Sequence, residues 1–327
     1  MDNFRAATDK PERELCMRHL RVVRAQKIAD DIFEFELQDP AGAALLPFTA
    51  GSHVLVNTPS GEERKYSLCN DPLEADRYVI AVKRDANGRG GSLAMCDQVK
   101  AGDMLAISEP RNDFALVKSF AGYILIAGGI GITPILAMAR HLLNEGASFK
   151  LYYLTRNRAS TAYADELSQP PFKGKVVIHH DEGDPARAID LWPVLEKPRG
   201  HIFCCGPAGL MESVRDMSGH WSKTAVHFEA FTDGHTIKPE DKSFSVRLAK
   251  SGVSYEVPAG QPILDVLRKH GHHVPYSCAS GSCGSCRTGL ISGDVDHRDF
   301  VLQDGEKSSQ IMVCVSRGRG GEIVIDL

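Results

Sequence analysis

Cys278-Ala279-Ser280-Gly281-Ser282-Cys283-Gly284-Ser285-Cys286 carries three thiols at C-x4-C-x2-C spacing, and Cys314 adds a fourth after a hairpin-like stretch. That order is the plant-type [2Fe–2S] ligand pattern. Two irons need four thiolates converging from one wrapped loop and one returning strand, and the bridging sulfides want backbone donors nearby. Gly281, Ser282, Gly284 and Ser285 are small enough to allow that approach. A four-thiolate structural zinc site usually shows short C-x2-C steps on both arms, whereas here only Cys283 and Cys286 make one. Cys278, Cys283, Cys286 and Cys314 are therefore expected to be metal ligands. Two strands at 244–248 and 254–257 and an amphipathic helix at 263–270 precede the loop, as in an α+β, β-grasp ferredoxin-like unit.

Upstream the rhythm changes twice. Between 122 and 231 strands at 123–127, 149–154, 176–179, 201–205 and 225–228 alternate with helices at 135–144, 162–167, 188–195 and 210–217, which implies an α/β domain on a parallel sheet. Between 20 and 116 the pattern is short, alternating and β-rich, with strands at 32–35, 53–56, 66–68, 78–82 and 104–107. Asn87-Gly88 and Ala101-Gly102 punctuate it, as in an antiparallel β-barrel. The expected division is a barrel at 1–117, a nucleotide domain at 118–231, a linker at 232–241 and the cysteine-rich domain at 242–327.

Bulk properties agree with a multidomain globular chain: 327 residues, 43% hydrophobic and 24% charged. A formal charge of −4 gives no footprint for a polyanion, so nucleic acid is not an expected partner. The first twenty residues lack the apolar core of a secretory signal, and cytoplasmic residence is the expectation. The apolar run 123–139 is broken by Gly128, Gly129, Gly131 and Pro134, which suits a strand-turn-helix and not a membrane span. Nine cysteines, four of them in the last fifty residues, argue for metal ligation over disulfides in a reducing compartment. Cys16, Cys69 and Cys96 have no partner at ligand spacing and read as core residues. His179-His180 and His272-His273 are neighbours that point apart on a strand and cannot share one ion.

Ala127-Gly128-Gly129-Ile130-Gly131-Ile132-Thr133-Pro134 sits where an apolar strand turns into a helix, so its glycines let backbone approach a pyrophosphate. Pro134 stands where the third glycine of a full G-x-G-x-x-G would be. Cys205-Gly206-Pro207 makes a second strand-to-loop break at the same carboxyl edge, where open α/β sheets bind ligands. Thr155 ends another strand there. Arg156 and Arg158 follow it, and either would suit a 2′-phosphate, leaving NADH and NADPH both open at this point. Arg64-Lys65-Tyr66-Ser67-Leu68 lies on a barrel strand, and Gly88-Arg89-Gly90-Gly91-Ser92 opens a helix, giving an aromatic wall and phosphate donors.

With the cysteine cluster, these stretches resemble the phthalate dioxygenase reductase family of bacterial aromatic-ring oxygenase systems, in the same domain order and over nearly the whole chain. The resemblance implies FMN, NADH as co-substrate and a [2Fe–2S] cluster. It places Arg64, Lys65, Tyr66, Ser67, Leu68, Ala81, Val82 and Lys83 on the flavin, with Gly90, Gly91 and Ser92 at its phosphate. Gly128, Gly129, Gly131, Thr155, Arg156, Gly206 and Pro207 fall to the nucleotide. Thr133 and Cys205 would line the nicotinamide pocket, and Phe231, in Phe228-Glu229-Ala230-Phe231, would lie over the flavin where the nicotinamide enters.

The implied activity is electron transfer from NADH through FMN and the cluster to a Rieske non-haem iron dioxygenase of the phthalate type. Nicotinamide gives two electrons together and a Rieske centre takes one at a time, which a flavin reconciles. Such work needs alignment more than acid–base chemistry, so no general base is expected. The alternatives are a reductase for a related aromatic-acid monooxygenase or demethylase, and a redox-sensing iron–sulfur flavoprotein without turnover.

Overall fold

The computed structural model describes residues 17–88, 90–231, 238 and 240–327. Cys16, Arg89 and most of the expected linker lie outside the described residues.

The first unit comprises β1 (Arg18–Ala29), β2 (Ile32–Gln38), β3 (His53–Asn57), β4 (Glu63–Ser67), β5 (Tyr78–Lys83), the helix α1 (Gly91–Gln98) and β6 (Met104–Ile107). Its antiparallel order is β4-β3-β6-β1-β2-β5, and a bridge between Leu68 and Ile80 joins the two end strands into a barrel. Period-two alternation drives it: Phe35 and Leu37 of β2 turn inward with Val54, Val56 and Ile107. The 12-residue β1 was not anticipated. Only Leu20 and Val22 of that strand are fully buried, while its basic residues face water, so its apolar signal is too thin to read.

The second unit is β7 (Tyr123–Gly128), α2 (Ile132–Asn144), β8 (Phe149–Thr155), α3 (Ala164–Ser168), β9 (Val176–His180), α4 (Trp192–Leu195), β10 (His201–Cys205), α5 (Ala208–Met217) and β11 (Val226–Glu229). All strands are parallel, in the order β11-β10-β7-β8-β9. The chain starts in the middle and reverses direction between β7 and β10, the switch point where such sheets bind ligands. The helix expected over 188–195 shrinks to α4. Asp190, two residues before it, accepts from the Trp192 N–H at 2.9 Å, and Pro193, which lacks an N–H, sits in its first turn.

The sheet is covered on both faces. On one, α2 buries Ile132, Ile135, Leu136 and Met138 in a core that continues into the barrel through Ile32, Ala50, Ala81 and Phe114. On the other, Met211 and Val214 of α5 pack with Trp221 in a core that Phe300 of the third unit joins from its edge.

The third unit is β12 (Phe244–Leu248), β13 (Ser254–Val257), α6 (Ile263–Lys269), β14 (Arg287–Ser292), β15 (Val295–Asp296), α7 (Asp304–Lys307), β16 (Gln310–Met312), β17 (Arg317–Gly318) and β18 (Glu322–Ile325). Its mixed sheet runs β13-β12-β18-β14-β16, with β12 and β18 parallel, and α6 buries Ile263, Leu264, Val266 and Leu267 against it. Asp241 accepts from Arg298 at 3.0 Å and Lys238 pairs with Asp296 at 3.3 Å, so the end of the expected linker is fastened to this unit. Among the described residues no helix is long and apolar enough to cross a membrane.

Candidate functional site: a crevice shared by three domains

A cavity of about 760 Å³ opens where the three units meet. The barrel contributes Arg64, Lys65, Tyr66 and Ser67 from β4, Ala81, Val82 and Lys83 from β5, and Gly91 and Ser92 at the start of α1. The nucleotide domain adds Ile130, Thr133, Ala230 and Phe231, and the third unit adds Gly260 and Cys278. Leu68 does not belong to this wall. Its side chain is fully buried in the barrel core, because β4 ends there and the next residue turns inward to bridge Ile80. Gly90, the residue before α1, adopts φ 92° and shapes the turn without lining the cavity.

One end of the cavity suits a phosphate. Arg64 is held by Glu62 at 2.8 Å and donates to the Glu63 carbonyl at 2.8 Å, yet its Nη2 is buried without a hydrogen-bond partner among the described residues. A buried guanidinium nitrogen left unpaired is costly unless an anion meets it. Gly91 makes room, since a Cβ there would lie 2.9 Å from Arg64 Nε. The amino end of α1 faces the same place, so the residues present fit a flavin phosphate.

Beneath the cavity lies a buried charge network that the sequence reading passed over. Lys65 Nζ stands 3.3 Å from Glu229 and 3.5 Å from Asp113, and Ser67 Oγ donates to Glu229 at 3.4 Å. Glu229 is almost wholly buried, and burial, outweighing Lys65, raises its pKa. Burial acts to lower the Lys65 pKa, but Glu229 and Asp113 together outweigh it and raise the value. Both groups therefore hold protons more firmly than in water. A charged residue among apolar neighbours in Phe228-Glu229-Ala230-Phe231 was the available signal for Glu229, because a buried charge needs a partner.

His53 joins the network 3.9 Å from Asp113, and burial first, then Lys65, pushes its pKa down to about 3. In the unfolded chain it titrates near 6.5, so its contribution to stability is complete above that value and drains away as pH falls from 6.5 toward 3. Between pH 6.5 and 5 this amounts to about 1.5 kcal/mol. Denaturant unfolding of the wild type and His53→Asn at both pH values is expected to show that slope only in the wild type; equal slopes would refute it.

At the nucleotide edge, the ends of β7, β8 and β10 stand side by side. The turn at Gly129–Gly131 leads into α2, where Thr133 is buried and its Oγ1 donates to the Ile130 carbonyl at 3.1 Å. The two motifs on this edge interlock. A Cβ on Gly131 would lie 2.2 Å from the Cys205 carbonyl oxygen, and one on Gly128 would lie 2.7 Å from Pro207. Gly131→Val is thus expected to push the two loops apart and raise KM for the nucleotide at least about tenfold with flavin content unchanged; steady-state kinetics check it.

Thr133 and Phe231 reach the cavity, whereas Gly128, Gly129, Gly131, Cys205, Gly206 and Pro207 do not line it. The Cys205 thiol is buried beside Glu229, and burial raises its pKa, so it stays protonated. Thr155 Oγ1 is engaged with Thr161 at 2.7 Å and His180 at 2.9 Å, so its hydroxyl is structural. Arg158 pairs with Asp165 at 3.3 Å, and Arg156 stays exposed at the edge.

The four cysteines come together as two pairs. Cys278 and Cys283 share a hydrogen bond, as do Cys286 and Cys314. The bond from Cys283 brings the Cys278 thiol down to about 4, and Cys314 lowers Cys286. Backbone N–H groups of Ser280 and Ser282 donate to Cys278 Sγ at 3.3 and 3.4 Å, and that of Cys278 donates to Cys283 Sγ at 3.4 Å. Gly281 adopts φ 74°, and a Cβ there would lie 2.8 Å from Val315, which is how the loop wraps so tightly. Among the described residues no three His, Cys, Asp or Glu side chains gather on one point, as a mononuclear ion needs. Two thiol pairs with amides aimed at sulfur fit two bridged irons.

Three families of known domains match successive parts of the chain. Residues 19–115 match the oxidoreductase FAD-binding domain, 125–216 the oxidoreductase NAD-binding domain, and 246–318 the 2Fe-2S iron-sulfur cluster binding domain. The chain is 55% identical over 311 residues to phthalate dioxygenase reductase of Burkholderia cepacia, covering 94% of this chain and 97% of that one. It is 53% identical over 311 residues to the phthalate 4,5-dioxygenase oxygenase reductase subunit of Pseudomonas putida, covering 94% and 96%. A solved structure of phthalate dioxygenase reductase superposes with a TM-score of 0.72 at 53% identity, over 95% of this chain and 98% of the other. Barrel, parallel sheet and cluster loop on one chain thus define an iron–sulfur flavoprotein oxidoreductase that uses a pyridine nucleotide. Within that class, the chain belongs to the phthalate dioxygenase reductase family.

Proposed function

We infer that this protein takes hydride from NADH at the cavity mouth and delivers single electrons through its cluster to the Rieske-type oxygenase component of an aromatic-ring dioxygenase, of the phthalate type. The observation that carries this reading is Cys278, a cluster ligand by its spacing, on the wall of the flavin cavity. A bound flavin supplies the exchange between two-electron and one-electron chemistry. Tyr66 and Phe231 offer the walls for a planar ring, Thr133 borders the side from which a nicotinamide approaches, and Arg64 with Gly91 and Ser92 holds the phosphate.

Arg64 Nη2, the one guanidinium nitrogen buried without a hydrogen-bond partner among the described residues, supports FMN, whose one phosphate it would bind. NADH is favoured because Asp181-Glu182-Gly183 folds against the backbone of Thr155 and Arg156: the Asp181 N–H donates to the Thr155 carbonyl at 3.2 Å and the Glu182 N–H to the Arg156 carbonyl at 2.7 Å. Carboxylates in that loop oppose a 2′-phosphate. The test is an absorption spectrum before and after NADH or NADPH, with the flavin extracted and weighed. Expected are FMN, bleaching of both flavin and iron–sulfur bands, and kcat/KM at least about tenfold higher for NADH. A colourless protein holding zinc would overturn the reading.

A further inference from the structure

We propose that Asp113 is a positioning residue that clamps the cluster loop against the flavin edge through Ser277. Ser277 Oγ donates to Asp113 Oδ1 at 2.6 Å, from the residue immediately before Cys278. The donor belongs to the third unit and the acceptor to the barrel.

Asp113 stands on a braced loop. On one side Asn112 Nδ2 donates to Thr49 Oγ1 at 2.7 Å and to the Ala50 carbonyl at 3.0 Å. On the other Phe114 is buried against Phe203, ring centroids 5.5 Å apart, inside the core shared by barrel and nucleotide domain. Gly51 lets that loop close, since a Cβ there would lie 2.2 Å from the Phe114 carbonyl oxygen. Lys65 at 3.5 Å balances the carboxylate and also faces Glu229. One anchored carboxylate therefore links the charge network under the cavity to the ligand loop.

A hydrogen bond to a carboxylate is among the stronger kinds, and its removal shifts an open–closed equilibrium about tenfold. Electron transfer needs a short gap, so loop docking governs the step from flavin to cluster. This inference rests on the series order proposed above.

The test uses the full, cofactor-loaded protein and backbone hydrogen exchange of residues 276–282. Ser277→Ala and Asp113→Ala are each expected to speed exchange there about tenfold, with no further gain in the double variant. Asp113→Ala leaves the ligand loop's sequence untouched, which covers a failure of Ser277→Ala to assemble its cluster. Ser277→Thr keeps the hydroxyl and restores slow exchange. In Ser277→Ala, rapid mixing with NADH should show flavin reduction at its normal rate and cluster reduction slowed several-fold. Unaltered exchange in both single variants, or additive effects in the double, would overturn the clamp. Failure of the series order itself would appear separately, as a wild-type cluster that NADH does not reduce.

Discussion

Cys283→Ser is expected to abolish one-electron output while leaving NADH-driven flavin reduction within about twofold of normal, because the two steps use different residues. Cys283 lies on the half-exposed side of the loop, paired with Cys278, and contributes nothing to the hydride pocket. A serine hydroxyl is a poor substitute for thiolate toward iron, so output to a one-electron acceptor should fall at least about a hundredfold. Rapid-mixing absorbance separates the two signals. Equal loss of both would mean that the modules do not work in series.

The second large effect is expected at Arg64. Arg64→Met removes the buried cation whose Nη2 has no hydrogen-bond partner among the described residues, while keeping the apolar stem beside Gly91. Charge-assisted bonds to a phosphate are worth roughly 1.5–3 kcal/mol each, so losing them should weaken flavin binding by about 3 kcal/mol, or about a hundredfold. The variant would purify largely without flavin, and titration with FMN followed by fluorescence quenching gives the affinity. Unchanged affinity would show that the phosphate is held elsewhere.

The legible parts of this protein are those whose chemistry is local in sequence. Four thiols within one loop and the turn that follows β16, or glycines at a strand-to-helix turn, carry their constraint in their spacing. The parallel sheet was readable because each buried strand is a short apolar run. Leu68, assigned to the flavin by resemblance, turns its side chain into the barrel core one residue past β4, a difference that its position in the motif does not disclose. Strand β1 escaped because its buried positions are few. Asp113 and His53 were unreadable for a different reason. Each acquires its role only when segments far apart in the chain converge, and no local pattern announces that Lys65 will sit between two carboxylates.

The first two domains are joined by continuous apolar packing, with Ile32, Ala50, Ala81 and Phe114 lodged in the same core as α2. The third meets them through the Ser277–Asp113 hydrogen bond and the tilted packing of Phe300 on Phe228. Residues 1–117 produced alone would therefore expose a sticky surface and aggregate, whereas a chain truncated after the second domain would remain one cooperative foldon able to reduce dyes from NADH. A cut that leaves the core shared by the first two domains whole thus falls on the C-terminal side of the nucleotide domain.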